Sequence, residues 1–600
     1  MHFLQIDFDS VFKESLDSDL THKHFLMYLS VVSVGVMLYY LYPWVKLFFD
    51  HYFIYNRREK IIILGQSRTA RSFANDAAEK GKKVILISSK RDNNFLDELK
   101  LNGVKLVFVN EINEKRLRLA GINHSTACFV ASDKDEFNIS MANKIGQYKR
   151  KKGGRKLKLV VSVNNWDTRN LLIDQVNSFN STPYVSVRFF DISTSVAQLI
   201  YDKYSPIRFV DDSTTKNHRK AICIIGYNGI SQHFLIENCI LSQFTDNDKI
   251  KILLVCKDAE YRLEEFKKKF PALIDFISVH PVELPNSSFS TNYDWDKKFI
   301  DNIPTIDAVY VFGNEDAVVV SEAINFRQFL YTHTQNFRRV PIIANLPENT
   351  SISYLLEQES HRGQSLFNNY KEELNIQFVR MYHDTCTYGN IVDDDEIEAL
   401  AKVTNYYYSL KHSFDNLLNV HFKKTNNSIF LRELVRRLII FKIKKHDPYK
   451  QIQAFVIEEL QRYTKNSEFR LTQIFGIEQI WENVSERNKE SNRYVVRHIP
   501  SKQALLEKLG IKEVSERSIK PYMDKLAPLE HNRWSAEKIT AGFNFGELPE
   551  NDKKIKAILK NTLKIHNQLK RYNLLDLVNK EKDMDIYLIM PLLIKVKENL

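Results

Sequence analysis

The chain contains 600 residues, which is too long for one compact core and, at roughly 100 to 200 residues per domain, predicts about three to five folding units. Hydrophobic residues make up 44% of the chain and charged residues 27%, and glycine and proline number only 17 and 15, so a disordered or fibrous protein is excluded. A net charge of +12 indicates an anionic neighbour, which could be a nucleotide, a nucleic acid or lipid headgroups.

The first element in chain order is an apolar run, residues 25–45, which holds no charged residue. A helix rises 1.5 Å per residue, so a run of this length matches the hydrocarbon core of a bilayer, about 30 Å thick. A cleaved signal peptide is disfavoured because no small-residue cleavage site follows, and a buried core helix because soluble helices of this length carry a polar stripe. We therefore predict a transmembrane helix.

The charges on either side of this run predict its orientation. Residues 1–24 carry two lysines and five acidic residues, whereas Lys46, Arg57, Arg58 and Lys60 follow the run. Lysine and arginine favour the cytoplasmic side of a membrane. We therefore expect a single-pass protein of the inner membrane, with an extracytoplasmic leader at residues 1–24 and a cytoplasmic carboxy-terminal bulk.

Short apolar segments alternate with helical segments beyond the basic flank. The first five strands are predicted at residues 60–65, 83–87, 104–109, 126–131 and 157–163, with helices between them. This order is typical of a parallel sheet with helices on both faces. The predicted fold class is therefore α/β, with doubly wound parallel sheets.

Two segments of this first unit resemble a known family. Residues 110–122 read NEINEKRLRLAGI and residues 131–138 read ASDKDEFN. They are similar to the acidic turn, helix and AGI signature, and to the second acidic segment, of the TrkA amino-terminal domain of regulators of potassium conductance and uptake. The resemblance implies a Rossmann-like, nucleotide-binding domain over residues 58–208 and a membrane transport partner.

A second copy of the pattern begins near Lys220. An apolar segment again runs into glycines at residues 221–229, and further strands are predicted at residues 250–256, 307–312 and 340–344. The two copies also end alike, with VRFFD at residues 187–191 and VRMYH at residues 379–383. We interpret this as an internal duplication, with a second Rossmann-like domain over residues 218–390.

The turn after the first strand of each unit is where a dinucleotide would place its pyrophosphate, and glycines there let the phosphates approach the backbone. Both turns are imperfect, and the second strand of the first unit ends in Ser-Ser-Lys-Arg rather than in the usual acid, which would favour a ligand with an extra phosphate. The alternative is that the sheets serve dimerisation alone. Candidate cofactor-binding residues are Gly65, Ser67, Ala70, Ser89, Lys90, Gly226, Asn228, Gly229 and Asp258.

A basic loop, residues 149–158, carries seven lysines and arginines in ten positions. It could lie on anionic lipids or attract a nucleotide, and the alternative is a solvated loop before a strand.

From about residue 393 the hydrophobic period becomes helical, and helices are predicted at residues 396–410, 428–445, 449–462, 501–510, 520–542 and 553–571. Within this part, residues 526–538 read LAPLEHNRWSAEK and resemble the core of the RyR domain, a repeat named from ryanodine receptors and found in bacterial proteins beside TrkA-like domains. Matching segments around it extend the resemblance over residues 393–597, except for residues 411–478. Asn405 departs from the family, which often has histidine there.

The central helix of this segment presents a candidate ligand site. By their spacing, Glu530, Arg533, Trp534 and Glu537 share neighbouring turns and offer a ring for stacking, a forked donor for phosphate and carboxylates for ribose or an amine. The alternative is that Trp534 lies in the core while Glu530 and Arg533 pair on the helix surface. The predicted RyR-like ligand residues are Trp481, Asn492, Arg493, Glu530, His531, Arg533, Trp534 and His566.

These features predict a membrane-tethered regulatory or effector protein, in which a bound nucleotide changes oligomer packing and the membrane span. The ligand would be a nucleotide or dinucleotide, such as NAD(P), an ADP-ribose-like molecule or a cyclic nucleotide, and no specific nucleic acid partner is expected. The family resemblance implies a bacterial signalling protein, with an ion-conducting or membrane-disrupting role in phage defence as one possibility. A regulatory subunit of a potassium transporter or channel, and an NAD(P)-dependent oxidoreductase, remain open as alternatives.

Neither catalysis nor a metal site is predicted. The five cysteines form no C-x-x-C pair, so they indicate neither a disulfide framework nor a zinc site. Nucleophilic triads and paired carboxylates do not stand out from the sequence beyond chance.

Overall fold

The computed structural model of the chain describes residues 27–41, 59–89, 96–179, 184–209, 221–243, 249–284, 289, 295, 297–334, 337–348, 366–393, 396–421, 434, 436–438, 451–452, 454–456, 458, 476–549 and 552–598.

Residues 27–41 form a helix, α1, in which every residue is exposed. This helix covers the middle of the predicted apolar run, whose two ends lie outside the described residues, as does the leader at residues 1–24. Among the described helices, none combines the length and apolarity needed to cross a membrane. The transmembrane helix at residues 25–45 therefore stays a prediction.

The first sheet has six parallel strands in the order β3-β2-β1-β4-β5-β6. The strands are β1 (Lys60–Leu64), β2 (Lys83–Ser88), β3 (Lys105–Phe108), β4 (Ala127–Val130), β5 (Leu157–Ser162) and β6 (Val185–Phe190). The helices are α2 (Arg68–Glu79), α3 (Leu96–Leu101), α4 (Glu114–Leu119), α5 (Asp135–Lys152), α6 (Trp166–Phe179) and α7 (Ile192–Tyr204). The central strand β1 is buried along its whole length, as expected where helices cover both faces of a parallel sheet.

The second sheet repeats this architecture, with six parallel strands in the order β12-β11-β10-β7-β8-β9. The strands are β7 (Ala221–Ile225), β8 (Ile250–Cys256), β9 (Ile277–Glu283), β10 (Ile306–Phe312), β11 (Ile342–Leu346) and β12 (Ile376–Arg380). The helices are α8 (Gly229–Leu241), α9 (Ala259–Lys269), α10 (Lys297–Asn302), α11 (Asp316–His333) and α12 (Leu366–Leu374). Read from the opposite edge, the strand order equals that of the first sheet, so the prediction of two Rossmann-like units is confirmed.

One hydrophobic core joins the two units. It contains Phe73 and Val196 from the first unit together with Phe234 and Phe312 from the second. The outer face of each sheet has its own separate core. The units are therefore packed against each other within one chain, with α7 of the first beside α8 of the second.

The carboxy-terminal part is mostly helical, as predicted. After the short helix α13 (Tyr388–Ile391), the described helices are α14 (Glu396–His421), α15 (Ile477–Asn483), α16 (Glu486–Arg497), α17 (Ile499–Lys508), α18 (Glu516–Ile519), α19 (Met523–Thr540), α20 (Lys553–Asn561), α21 (Leu577–Lys582) and α22 (Asp585–Lys597). The predicted helix at residues 553–571 is wrong beyond Asn561, because Lys564 takes a left-handed backbone conformation and the chain continues into a short strand. That strand, β14 (Ile565–His566), pairs in parallel with β13 (Asn544–Phe545). The predicted helices at residues 428–445 and 449–462 lie mostly outside the described residues.

Helix α16 fastens the helical part to both Rossmann-like units. Toward the first unit, Arg487 forms an ion pair with Asp174 at 2.9 Å, and Glu490 forms one with Arg169 at 2.5 Å. Toward the second unit, the Tyr494 hydroxyl donates a hydrogen bond to Glu237 on α8 at 2.8 Å.

The link after the second unit returns to the first. The Tyr388 backbone N–H donates to the Asp76 carboxylate at 2.6 Å, and the Lys158 ammonium donates to the Val392 carbonyl at 3.1 Å. These contacts join residues that are far apart in sequence. Together with the contacts of α16, they form one junction at which the two units and the helical part meet.

Glu237 gives this junction a pH dependence. Its side chain is 1% exposed and lies between Gln198 on α7 and Tyr494 on α16. Burial raises the pKa of this carboxyl to about 7, above its value in the unfolded chain. The native state therefore binds the proton more tightly than the unfolded state, so stability is highest at low pH and falls as the pH rises through about 7.

Replacing Glu237 with glutamine is expected to remove the loss of stability that occurs as the pH rises. The stability of the variant relative to the parent should grow by about 2 to 3 kcal/mol between pH 5 and pH 8, because an amide does not ionise. Thermal melting at several pH values measures the difference, with Glu264→Gln on exposed α9 as the matched control. Parallel melting profiles of Glu237→Gln and the parent would contradict the assignment.

Candidate functional site

The phosphate turn of the first unit is shaped by the sheet beneath it. Gly65 has a φ of +107°, and a Cβ there would lie 2.5 Å from the Ala131 carbonyl oxygen. Ser67, in place of the second glycine, donates to that oxygen at 2.8 Å and accepts from the Ala70 backbone N–H at 3.2 Å. Ser67 is thus the N-cap of α2 and buries its hydroxyl against the protein.

The turn of the second unit is capped in the same way. Asn228 accepts from the backbone N–H groups of Ile230 and Ser231 at 3.0 Å, and the Ser231 hydroxyl in turn accepts from the Asn228 backbone N–H. These donors lie at the helix N-terminus, where N–H groups receive the pyrophosphate in dinucleotide-binding units. Because the chain satisfies them itself, the second turn offers a pyrophosphate fewer donors than a glycine-rich turn does.

The remaining predicted cofactor-binding residues differ in how accessible they are to a ligand. Ser89, at the end of β2, and Asp258 are exposed, and Asp258 is held in a left-handed conformation by a 2.8 Å hydrogen bond from its N–H to Glu283. Gly229 is exposed, and a Cβ added there would meet only the Ser193 hydroxyl. Lys90 lies outside the described residues.

The structure separates the predicted RyR-like ligand residues into three places, and the first is a buried ion network on α19. Arg533 is 1% exposed and donates to Glu530 at 3.0 Å and to Glu537 at 2.7 Å. Lys502 adds an ion pair with Glu530 at 2.7 Å. The Glu530–Arg533 pair is therefore buried, and the guanidinium that was predicted to hold a phosphate is bound to protein carboxylates.

The charges of this network are set by burial and by its own partners. Burial alone would raise the pKa of Glu530, but Arg533 and Lys502 hold it well below its usual range. Burial lowers the pKa of Lys502 to about 8, and burial together with Lys502 lowers that of His498 to about 3. A neutral His498 beside three charged partners supports a structural role for this network.

The second place is the wall of a cavity of about 350 Å³ between the first unit and the helical part. Trp481 and Arg493 line it, and Asn492 lies beside them on α16, where its amide donates to the Asn488 carbonyl. Arg493 holds Glu398 and Glu486 at 2.6 and 2.7 Å. The Trp481 indole N–H also donates to Glu398, at 3.0 Å.

The third place, which we call the Trp534 cluster, combines aromatic rings with lysines that repel one another. It consists of Trp534, Lys538, Phe543, Lys560, His566 and Lys582. The rings of half-buried Trp534 and of His566 meet edge to face with centroids 4.9 Å apart. Partial burial, with Lys538, Lys556 and Lys582 nearby, lowers the pKa of Lys560, whose side chain is largely exposed, and burial with Lys560, Lys538 and Lys582 lowers the pKa of His566 to about 4.

His531 lies beside this cluster but is engaged on both ring nitrogens. Its Nε2 lies 2.8 Å from the Lys570 carbonyl oxygen and its Nδ1 lies 3.4 Å from the Asp583 carboxylate. The side chain is buried, so it positions the 570–583 segment rather than facing a ligand.

Sequence reasoning missed the residues that give these two surfaces their charge. Lys538, Lys560 and Lys582 come from three separate helices, and the density of lysine between residues 553 and 582 could have indicated only the last two. Arg188 and Lys489, which line the cavity, belong to β6 and α16 and share no sequence motif.

Comparison with known proteins identifies one part of the chain. Residues 61–178, about a fifth of the sequence, match the TrkA-N domain family, as predicted from residues 110–122 and 131–138. The first unit therefore carries a TrkA-N domain. The chain matches no curated protein.

The solved structures to which the chain is similar are distant. GsuK bound to ADP is 13% identical over 62% of this chain and 82% of that one, with a TM-score of 0.32. The GsuK channel bound to NAD is 11% identical over 62% of this chain and 72% of that one, with a TM-score of 0.33. The apo-structure of D-lactate dehydrogenase from Escherichia coli is 12% identical over 55% of this chain and 92% of that one, with a TM-score of 0.18. At these TM-scores the similarities support no conclusion about function.

Proposed function

We propose that the chain is a regulatory protein that senses a nucleotide-like anion in its cytosolic part and is anchored to the membrane by residues 25–45. The TrkA-N domain supports a regulatory, nucleotide-linked role for the first unit. The observation that carries the proposal is the Trp534 cluster, and the resemblance of residues 393–597 to the RyR domain agrees with it.

The cluster has the chemistry that a nucleotide requires. Trp534, Phe543 and His566 provide faces and edges on which a base can stack, and Lys560 and Lys582 provide charge for phosphates. Lys538 adds to this charge, although it also forms an ion pair with Glu537 at 3.1 Å. Like charges held together raise the free energy of the empty site, and a bound anion relieves that repulsion. Binding is therefore favoured by the electrostatics of the protein itself.

Helix α19 links this cluster to the Rossmann-like units. It carries Trp534 on one face, while Ala536 joins the core that the two units share and α19 packs against α8 of the second unit. A ligand that moves α19 would therefore shift the second unit. We propose that this motion alters oligomer packing and, through it, the membrane anchor.

Replacing Lys560 with methionine is expected to weaken nucleotide binding about tenfold, because a charge-assisted contact is lost while side-chain length is kept. Calorimetric titration of the detergent-solubilised full chain with NAD, ADP-ribose and cyclic AMP measures the affinity, after mass spectrometry of co-purified small molecules. Lys512→Met, at an exposed position, is the matched control. Unchanged affinity in both Lys560→Met and Trp534→Ala would remove the cluster as the site.

Regulation of a separate potassium transporter or channel is the second candidate, favoured by the TrkA-N domain. Co-purification of the chain with a multispan membrane protein would support it. A ligand-triggered ion leak from liposomes holding this chain alone would instead support an effector that acts without a partner.

A further inference from the structure

The cavity between the first unit and the helical part is a second charged site, distinct from the Trp534 cluster. Its volume of about 350 Å³ lies at the lower end of the range for small-molecule sites, roughly 300 to 1,000 Å³. Its walls come from β5 and β6, from the link at residues 388–393, and from α14, α15 and α16. A molecule bound there would contact the first unit, the link and the helical part.

Most of the acids on the wall are already paired. Glu398 and Glu486 form ion pairs with Arg493. Glu478 forms an ion pair with Lys402 at 2.9 Å, and Glu482 forms one with Lys156. The wall carries seven basic residues against five acidic ones. The surplus of positive charge therefore falls on residues outside these pairs.

Lys489 is the most unusual of these residues. Its side chain is 6% exposed, yet its nearest carboxylate oxygen among the described residues, on Glu486, is 3.9 Å away, beyond hydrogen-bond length. Burial lowers the pKa of this lysine. The long contact with Glu486 and the Trp481 ring, 5.6 Å away, compensate this charge only in part, and an anion in the cavity would add a hydrogen-bonded partner.

Arg188 faces the same cavity from β6. It contacts the Asn390 carbonyl oxygen at 3.5 Å and, within the described part of the chain, forms no ion pair. Burial would raise the pKa of Glu398, but Arg493 and, less strongly, Arg188 lower it, which places Arg188 in the same charge cluster as Arg493. Lys489 and Arg188 thus offer two donors to one anion.

The other wall residues restrict the kind of anion. Lys489 and Arg493 lie 5.6 and 5.8 Å from the centroid of the Trp481 ring, so this aromatic side chain is already covered by cations rather than open for a base. Thr126, Ser186 and Asp393 add hydroxyl and carboxylate groups that can bind hydroxyls. This combination suits a polyhydroxylated molecule with a phosphate.

We infer that the cavity binds a phosphorylated sugar, with the phosphate on Lys489 and Arg188 and the sugar hydroxyls on the remaining polar wall. Because the ligand would bridge the first unit, the link and the helical part, its binding stabilises the junction. The site does not depend on nucleotide binding at the Trp534 cluster or at either phosphate turn.

Ribose 5-phosphate is the probe, titrated calorimetrically into the detergent-solubilised full chain, with ribose and inorganic phosphate as comparisons. We expect ribose 5-phosphate to bind and to raise the melting temperature, inorganic phosphate to bind more weakly, and ribose not to bind. Lys489→Met is expected to weaken ribose 5-phosphate binding about tenfold to hundredfold without lowering the melting temperature of the unliganded protein.

Two controls separate this site from the others. Lys508→Met, at an exposed position, and Lys560→Met in the Trp534 cluster should both bind ribose 5-phosphate like the parent. Arg188→Gln is the second test variant if Lys489→Met does not fold. If the parent does not bind ribose 5-phosphate, or if both cavity variants bind it like the parent, the cavity is not the binding site. If inorganic phosphate binds with the same affinity as ribose 5-phosphate, the sugar is not part of what the cavity recognises.

Discussion

Replacing Gly226 with alanine is expected to prevent the second Rossmann-like unit from folding. Gly226 has a φ of +88°, and a Cβ there would lie 1.9 Å from the Phe312 carbonyl oxygen. That oxygen belongs to β10, which is paired with β7 on one side and β11 on the other and so cannot move aside. A backbone clash combined with a left-handed conformation is expected to cost about 4 kcal/mol or more.

The yield of soluble protein and its melting temperature measure this effect. Gly229→Ala is the matched control three residues later, because a Cβ there meets only the Ser193 hydroxyl, at 3.6 Å, and alanine suits the first turn of a helix. A melting temperature of Gly226→Ala equal to that of Gly229→Ala would contradict the steric argument.

Replacing Arg493 with methionine is expected to have the second large effect, because it leaves two buried carboxylates without their common partner. Glu398 and Glu486 are 9% and 4% exposed, and Arg493 reaches both within 2.7 Å. Breaking a buried ion pair in this way costs about 3 to 5 kcal/mol. Thermal melting of the variant measures the loss, with exposed Arg517→Met as the control.

The loss of stability in Arg493→Met should also depend on pH. In the parent, burial would raise the pKa of Glu398, but Arg493 holds it far below its usual range. Without Arg493, burial is expected to raise this pKa above its unfolded value, so the variant should lose stability as the pH rises and recover part of it near pH 5. Equal losses at pH 5 and pH 8 would contradict the assignment of charge to these carboxylates.

The sequence predicts the two parallel sheets well because their strands are continuous apolar runs, and those runs form the buried centres of the sheets. The strand β9 was missed for a physical reason. It lies at the edge of its sheet, buries only its first residue, Ile277, and contains Pro281, which an edge strand tolerates but which weakens a sequence-based prediction.

The candidate site was predictable only in part. The spacing of Glu530, Arg533 and Glu537 correctly places them on one helix, but spacing does not show which way that face points, and it points inward. The lysines around Trp534 and the walls of the cavity come from segments distant in sequence, so only the tertiary fold brings them together.

Because α16 packs against the first unit but follows it by hundreds of residues, the first unit is synthesised long before these contacts can form. Strand β6 ends at Phe190, and α16, which lines a small cavity against the end of this strand, begins at Glu486, about 300 residues later. At translation rates of roughly 5 to 20 residues per second, this gap corresponds to about 15 to 60 s. During that time the edge of the first sheet at β6 lacks the contacts that α16 supplies, and an incompletely covered sheet edge is a surface on which nascent chains aggregate. Nascent chains stalled before α16 should therefore bind holding chaperones more strongly than chains stalled after it.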